Sequence, residues 1–192
     1  DGVITAASAS TENDAAAFGV FMSKEEAKEL GLVPMCTIKE IAHAACDPGI
    51  MGYSAIKATR KALERSNLSA ADIDVWQSNE AFATVPMALC KDLGVDPDKM
   101  NVNGCACCIG HAIGASGMRV LGTAAYEMNR TGSKYGCASI CGGWGQGTAI
   151  IMEREDYWDG RHAWKLGGVP TPAKYPYTDP FPGFPPEGSV QL

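Results

Sequence analysis

A chain of 192 residues with a net charge of −6, 46% hydrophobic and 20% charged, has the composition of an ordinary globular domain, and its acidic balance argues against a nucleic-acid surface. No stretch is apolar enough for a membrane helix, and the N-terminus lacks the basic-then-apolar order of a secretory signal. The eight cysteines follow no disulfide-framework spacing and several sit inside apolar segments, so reduced thiols in a cytoplasmic protein are expected.

In chain order, residues 1–5 read as starting in the middle of something, without cap or lead-in. Ile4 to Ser10 supplies small residues and hydroxyls in a turning segment whose amides are open to a ligand, or a plain surface loop. The apolar run within 14–22 suits a buried strand. Ser23 caps a helix over 24–30, with Glu26 three residues on and Gly31 closing it. Pro34 to Ala45 reads as a strand with Cys36, Ile38, Ile41 and Ala45 inward; His43 reads as a surface residue.

Ser54 to Ser66 is an amphipathic helix, with Ile56, Thr59, Ala62 and Leu63 on its apolar face. A turn leads into a strand from Ile73 that ends at Ser78-Asn79, where a helix begins and runs to Leu93 with a kink at Pro86. Such strand ends are where α/β folds gather active-site groups, which places Asn79 well. Met100 to Asn103 is expected to be the next strand.

The stretch 101–117, NVNGCACCIGHAIGASG, sets His111 in a glycine-walled turn ahead of a helix that runs to Arg130 and ends at Gly132, with Val120, Leu121, Ala124 and Met128 inward. A histidine there serves as base or donor, or is a buried, satisfied side chain. Tyr135 to Ile140 and Thr148 to Glu153 then form a hairpin around CGGWGQG. The order of elements makes one α/β layered domain. Residues 156–192 hold seven of the eleven prolines among many aromatics, and read as an extended arm lying against another surface.

Three stretches stand together: Asn79-Glu80-Ala81-Phe82-Ala83, the Asn101 to Gly117 segment with Gly110-His111, and Cys141-Gly142-Gly143. In this order they resemble the C-terminal signatures of the thiolase family, over roughly residues 3–153. The resemblance implies an α/β thiolase-like fold, with residues 23–154 as a C-terminal mixed-sheet domain. Residues 1–22 would be a strand segment completing the N-terminal domain of a partner chain, and 155–192 an added arm.

Thiolases form or cleave 3-ketoacyl thioesters of coenzyme A through an acyl-cysteine, which needs a nucleophilic thiol, a base, a second acid/base and two oxyanion sites. By resemblance His111 would activate the nucleophile and serve one oxyanion site, with Asn79 holding a water there. Cys141 would be the acid/base, and the Gly143 amide would serve the second oxyanion. Ala6, Ser10, Ala81 and Phe82 would touch coenzyme A or substrate, a substrate rather than a permanent cofactor.

Ala112 stands where the family has proline, Cys105 where it has glycine, and Trp144 is bulky for its turn. Cys105, Cys107, Cys108 and His111 mimic a metal cluster, but the family frame gives His111 another task and no metal is expected. The family's nucleophilic cysteine belongs to an N-terminal half that these residues do not contain. A separate polypeptide carrying it is therefore expected, in a heteromer that associates further, with no nucleic-acid or membrane partner. The rival expectations are a non-catalytic thiolase-like subunit and a Claisen-type condensing enzyme.

Overall fold

Among the described residues four strands form the sheet, and the site depends on how they end. The computed structural model describes residues 2–155, so the proline- and aromatic-rich arm expected beyond residue 155 lies outside the described residues. The elements are α1 (Lys24–Glu29), β1 (Thr37–Ala45), α2 (Tyr53–Ser66), β2 (Val75–Ser78), α3 (Thr84–Leu93), α4 (Ala106–Ile109), α5 (Ile113–Thr131), β3 (Tyr135–Gly142) and β4 (Gln146–Glu153). The sheet order is β1-β4-β3-β2, with β1–β4 and β3–β4 antiparallel and β2–β3 parallel.

Helix α2 packs on one face of the sheet. Its Ile56, Ala58, Ala62 and Leu63 meet Ala42, Ala149, Ile151 and Cys137, with Trp76 and Leu89 closing the same cluster. Helix α5 covers the other face, where Val120, Leu121, Ala124 and Met128 meet Ala138 and Met152. Fully burying each large apolar side chain contributes roughly 1.5–3 kcal/mol, so these two layers hold the sheet between helices. The expected inward faces of α2 and α5 are the observed ones.

Three sequence expectations need correcting. The first strand starts at Thr37, and a bulge between Ile38 and Glu40 reverses which side chains face α2. Ala42 is consequently buried, whereas Ile41, expected inward, is 45% exposed. Met100 to Asn103 forms no strand. Met100 makes an isolated bridge to Trp76, and Asn101 takes a left-handed conformation (φ 52°) in a turn.

The helix after Asn79 begins at Thr84, and Pro86 sits in its first turn, where the missing N–H has no intrahelical acceptor and no kink is needed. Residues 14–22, expected to complete a sheet of the N-terminal half, pair with no strand among the described residues, and Phe18 and Val20 are 92% and 86% exposed. Helix α1 fits its expected cap, with Ser23 Oγ accepting from the Glu26 amide at 3.1 Å.

One contact between layers leaves no room for a side chain. A Cβ on Gly147 of β4 would lie 2.4 Å from the backbone of Ser54, at the start of α2. Gly117, in the interior of α5, has nothing within 4 Å of such a Cβ. Gly147→Ala is expected to lower the unfolding free energy by about 1–3 kcal/mol through overpacking. Gly117→Ala is expected to raise it by about 0.5–1 kcal/mol through helix propensity. Urea unfolding of the two variants beside the parent chain checks both signs.

Candidate active site

The parallel pairing of β2 with β3 sets Ser78 opposite Ser139, and the Asn79 amide continues the ladder by donating to the Ser139 carbonyl at 2.8 Å. Asn79 and Cys141 therefore leave the same edge of the sheet. Asn79 is fully buried although polar, which requires its side chain to be engaged. Its Nδ2 lies 3.4 Å from His111 Nε2, a long contact, and its Oδ1 takes a weak hydrogen bond from Cys105 Sγ at 3.9 Å.

His111 is fixed from three sides. Its backbone N–H donates to the Thr11 carbonyl at 2.8 Å, and Glu12 bridges to it in parallel. The preceding Gly110 has φ 86°, and a Cβ there would collide with the Asn13 side chain, so only glycine serves. The ring itself is oriented by α5: Nδ1 lies 2.7 Å from Ser116 Oγ.

The Ser116 hydroxyl proton is committed to the Ala112 carbonyl, 2.9 Å away and one turn back. Ser116 Oγ must then accept from His111 Nδ1–H, which leaves the Nε2 lone pair facing the Asn79 amide donor. The neutral imidazole is held as the tautomer that can take a proton at Nε2. Burial, and then the nearby Arg119 guanidinium, push the imidazole below its ordinary value of 6.5. Both favour the uncharged base.

Cys141, near the end of β3, packs with Ala55 and Val85, against Met51, Ala81 and Phe82. Burial raises its thiol above the ordinary value, so it rests protonated and able to give up a proton. Gly143 follows in a short turn of residues 143–145, exposed, with open space around its Cα. Trp144 beside it is 89% exposed and adopts φ 64°, a conformation that bulky residues rarely take.

The segment around Ser10 docks on the 81–83 turn. Ser10 N–H and Oγ both donate to the Ala81 carbonyl, at 3.1 and 3.0 Å, and the Ala83 amide donates to the Ser8 carbonyl at 2.8 Å. The structure thus joins Ser10, Ala81 and Phe82, whereas Ala6 lies on an exposed turn.

An open cleft of about 520 Å³ is lined by Glu12, Asn13, Asp14, Ala15 and His111, with Ala112, Ile113 and Gly114 at the start of α5. Asn79 and Cys141 lie outside that lining. Among the described residues no three His, Cys, Asp or Glu side chains are grouped to hold a metal ion. Cys107 Sγ instead points at the Glu80 and Ser8 carbonyls.

Ala112, where the sequence departs from the family pattern, has φ −73°, the value a proline ring would impose. The turn therefore keeps its shape without the proline. Sequence reasoning passed over Asn101, whose Oδ1 accepts from the Ser78 amide and whose Nδ2 donates to Ser78 O and Glu80 Oε1. It also passed over Glu80 as a clamp on the Cys107 amide at 3.0 Å. The signal for Asn101 was present in the Asn-Val-Asn-Gly turn, since asparagine tolerates the left-handed conformation.

Residues 32–154 match the family described as thiolase, C-terminal domain. The chain belongs to the thiolase family. It is 51% identical over 154 residues to an acetyl-CoA acetyltransferase of Syntrophomonas wolfei, covering 79% of this chain and 39% of that relative. A 3-ketoacyl-CoA thiolase of Aliivibrio salmonicida is 46% identical over 157 residues, covering 80% of this chain and 41% of the relative. The crystal structure of human mitochondrial 3-ketoacyl-CoA thiolase in complex with CoA superposes with a TM-score of 0.74 at 36% identity, over 81% of this chain and 39% of that one. The chain thus spans about two fifths of the length of these thiolases, and its mixed sheet with helices on both faces is the C-terminal part of the thiolase fold.

Ser116→Ala is expected to release the imidazole tautomer. Long-range ¹H–¹⁵N spectra at alkaline pH should show the proton on Nδ1 in the parent and divided between the nitrogens in the variant. Because the folded imidazole titrates below 6.5, the unfolded chain binds the proton first. Its contribution to stability is therefore complete above 6.5 and is lost as pH falls through that value toward the folded pKa. His111→Gln should flatten this part of a stability-versus-pH curve measured in urea.

Proposed function

We propose that this chain forms the C-terminal half of a thiolase catalytic unit, an acyltransferase that cleaves or forms 3-ketoacyl thioesters of coenzyme A. The observation that carries this reading is the meeting of Asn79 and His111 at a sheet edge that Cys141 shares, with the imidazole held as an Nε2 base. In this reading His111 Nε2 takes the proton of a nucleophilic cysteine, which attacks the thioester carbonyl and expels the coenzyme A thiol. The resulting imidazolium, with a water held by Asn79, donates to the developing oxyanion. Cys141 gives or takes the proton of the α-carbon or the thiol, and the Gly143 amide stabilises the second oxyanion in a turn without a side chain to obstruct it.

The nucleophile, in this reading, belongs to an N-terminal thiolase half outside these 192 residues, against which the described residues pack. The exposed Phe18 and Val20 support a covering surface, as does an open apolar groove of about 370 Å³ formed by Phe21, Met118, Leu121, Ile140 and Ile150. Ala6, Ser10, Ala81 and Phe82 would lie along the pantetheine arm or acyl group, which the docking of Ser10 on Ala81 favours. The relatives named for acetyl-CoA and 3-ketoacyl-CoA favour coenzyme A thioesters as substrates.

A non-catalytic subunit is the less favoured reading. The Ala112 turn keeps the geometry that proline would give, and the Ser116–His111–Asn79 chain of contacts is intact. In the assembly with its N-terminal half, His111→Ala and Cys141→Ala are each expected to lower the rate of acetoacetyl-coenzyme A thiolysis by about 10²–10⁴-fold. Stopped assays following the magnesium–enolate absorbance check this, and rates equal to the parent's would establish a scaffold.

A further inference from the structure

The thiols between residues 105 and 108 have no part in the chemistry above. Helix α4 opens at Cys105, and the Cys108 amide donates to the Cys105 carbonyl at 2.9 Å, which closes one turn with a cysteine at each end. The ends of such a turn lie less than about 7 Å apart at Cα, within the span that a disulfide bridges. Cys105 is the N-cap and stands outside the helical conformation (φ −154°, ψ −146°), so its side chain is not held at the spacing of a helix face. Helical side chains lean back toward the preceding turn, and that of Cys108 does so. Its Sγ lies 3.4 Å from where a Cβ on Gly104 would stand, one residue before Cys105.

The two thiols differ in access. Cys108 is exposed, whereas Cys105 is 1% exposed. An outer thiol beside an inner one is the arrangement in which the first reacts and the second resolves. Cys107 is engaged elsewhere, with its Sγ 3.8 and 3.6 Å from the Ser8 and Glu80 carbonyls and its amide held by Glu80.

We propose that Cys105 and Cys108 form a dithiol–disulfide site that exchanges with low-molecular-weight disulfides, and that its oxidation releases Asn79 from Cys105. The exchange goes beyond the thiolase reading, and only its effect on turnover rests on that reading.

The exchange runs in two displacements. The Cys108 thiolate attacks one sulfur of the small disulfide and expels the other as a thiol. The Cys105 thiolate then attacks the Cys108 sulfur of the mixed disulfide and expels the second small thiol. One S–S bond breaks and one forms, and the two protein thiol protons end on the two released thiols. The protein is oxidised by two electrons, and the small disulfide is reduced by the same two.

The consequence reaches the candidate site through one contact. In the dithiol form Cys105 Sγ donates to Asn79 Oδ1 at 3.9 Å, inside a residue with no exposed surface. A disulfide sulfur carries no proton, and here it is drawn toward Cys108. Asn79, whose Nδ2 meets His111 Nε2 at 3.4 Å, then loses a contact on its far side.

The test places the complete assembly in glutathione buffers of graded redox poise, quenches in acid, alkylates the free thiols and maps peptides by mass spectrometry. The parent is expected to lose two hydrogen atoms and gain a 105–108 link. Cys105→Ser is expected to stop at a glutathione adduct on Cys108, and Cys107→Ser to form the link as the parent does. A lasting adduct on Cys108 of the parent, a link to Cys107 instead, or both thiols staying free in oxidised glutathione would overturn the site.

No substrate is needed for this readout, so it stands or falls apart from the thiolase reading. Turnover is then measured on samples in which the same mapping finds the nucleophile of the N-terminal half free. Acetoacetyl-coenzyme A thiolysis by the oxidised parent is expected to fall about tenfold and to return with dithiothreitol, while Cys108→Ala under the same treatment loses less than about twofold. Equal losses in the two, or an unchanged rate with the link formed, would overturn the coupling to Asn79. An assembly inactive even when reduced would overturn the thiolase reading and leave the disulfide site standing.

Discussion

The short parallel pairing of β2 with β3, four residues long and capped by the Asn79 amide on the Ser139 carbonyl, fixes where chemistry can happen in this chain. It sends two strands out of the same sheet edge in the same direction, one into the Asn79 turn and the other into Cys141. Where the backbone leaves that edge, side chains replace the absent ladder bonds. Asn101 takes over the backbone groups of Ser78, and Glu80 reaches the Cys107 amide. Backbone that turns away from a sheet this close to the core must be satisfied somewhere, and here side chains of the motifs do it.

The same accounting explains the tautomer of His111. A serine in the first turn of α5 back-bonds to the helix carbonyl, so its oxygen can only accept from the ring. The helix thereby dictates which imidazole nitrogen is bare. Helix start, glycine turn and ring orientation act as one unit, and a substitution at Ser116 or Gly110 would be felt at Nε2 without touching the ring.

Much of this was legible in the sequence. The amphipathic faces of α2 and α5 follow the 3.6-residue period, and their buried residues are the expected ones. Asn79 and His111 were singled out from motif spacing and do meet. What sequence could not give was set by long-range pairing. The bulge at Ile38–Glu40 flips β1 by one residue, so Ala42 and not Ile41 faces α2, and no local signal marks it. The 100–103 stretch reads as a strand by composition, but Asn101 earns more hydrogen bonds as a turn against Ser78 and Glu80. Ser116 and Arg119 look like ordinary helix residues until α5 is wound and both point at the histidine loop. The apolar run before Ser23 reads as a buried strand, and among the described residues Phe18 and Val20 stay exposed.

In the proposed reading, residues of this chain supply the base, the second acid/base and the oxyanion donors, while the covalent intermediate forms on a cysteine outside these 192 residues. Intact-mass and peptide-level mass spectrometry of the complete assembly, quenched in acid after mixing with acetyl-coenzyme A, addresses that division of labour directly. The account predicts one acetyl group, on a cysteine of the N-terminal half, with all eight cysteines of this chain unmodified. An acetyl group on Cys141 or on any other residue of this chain, or no acetylation of the assembly at all, would contradict it.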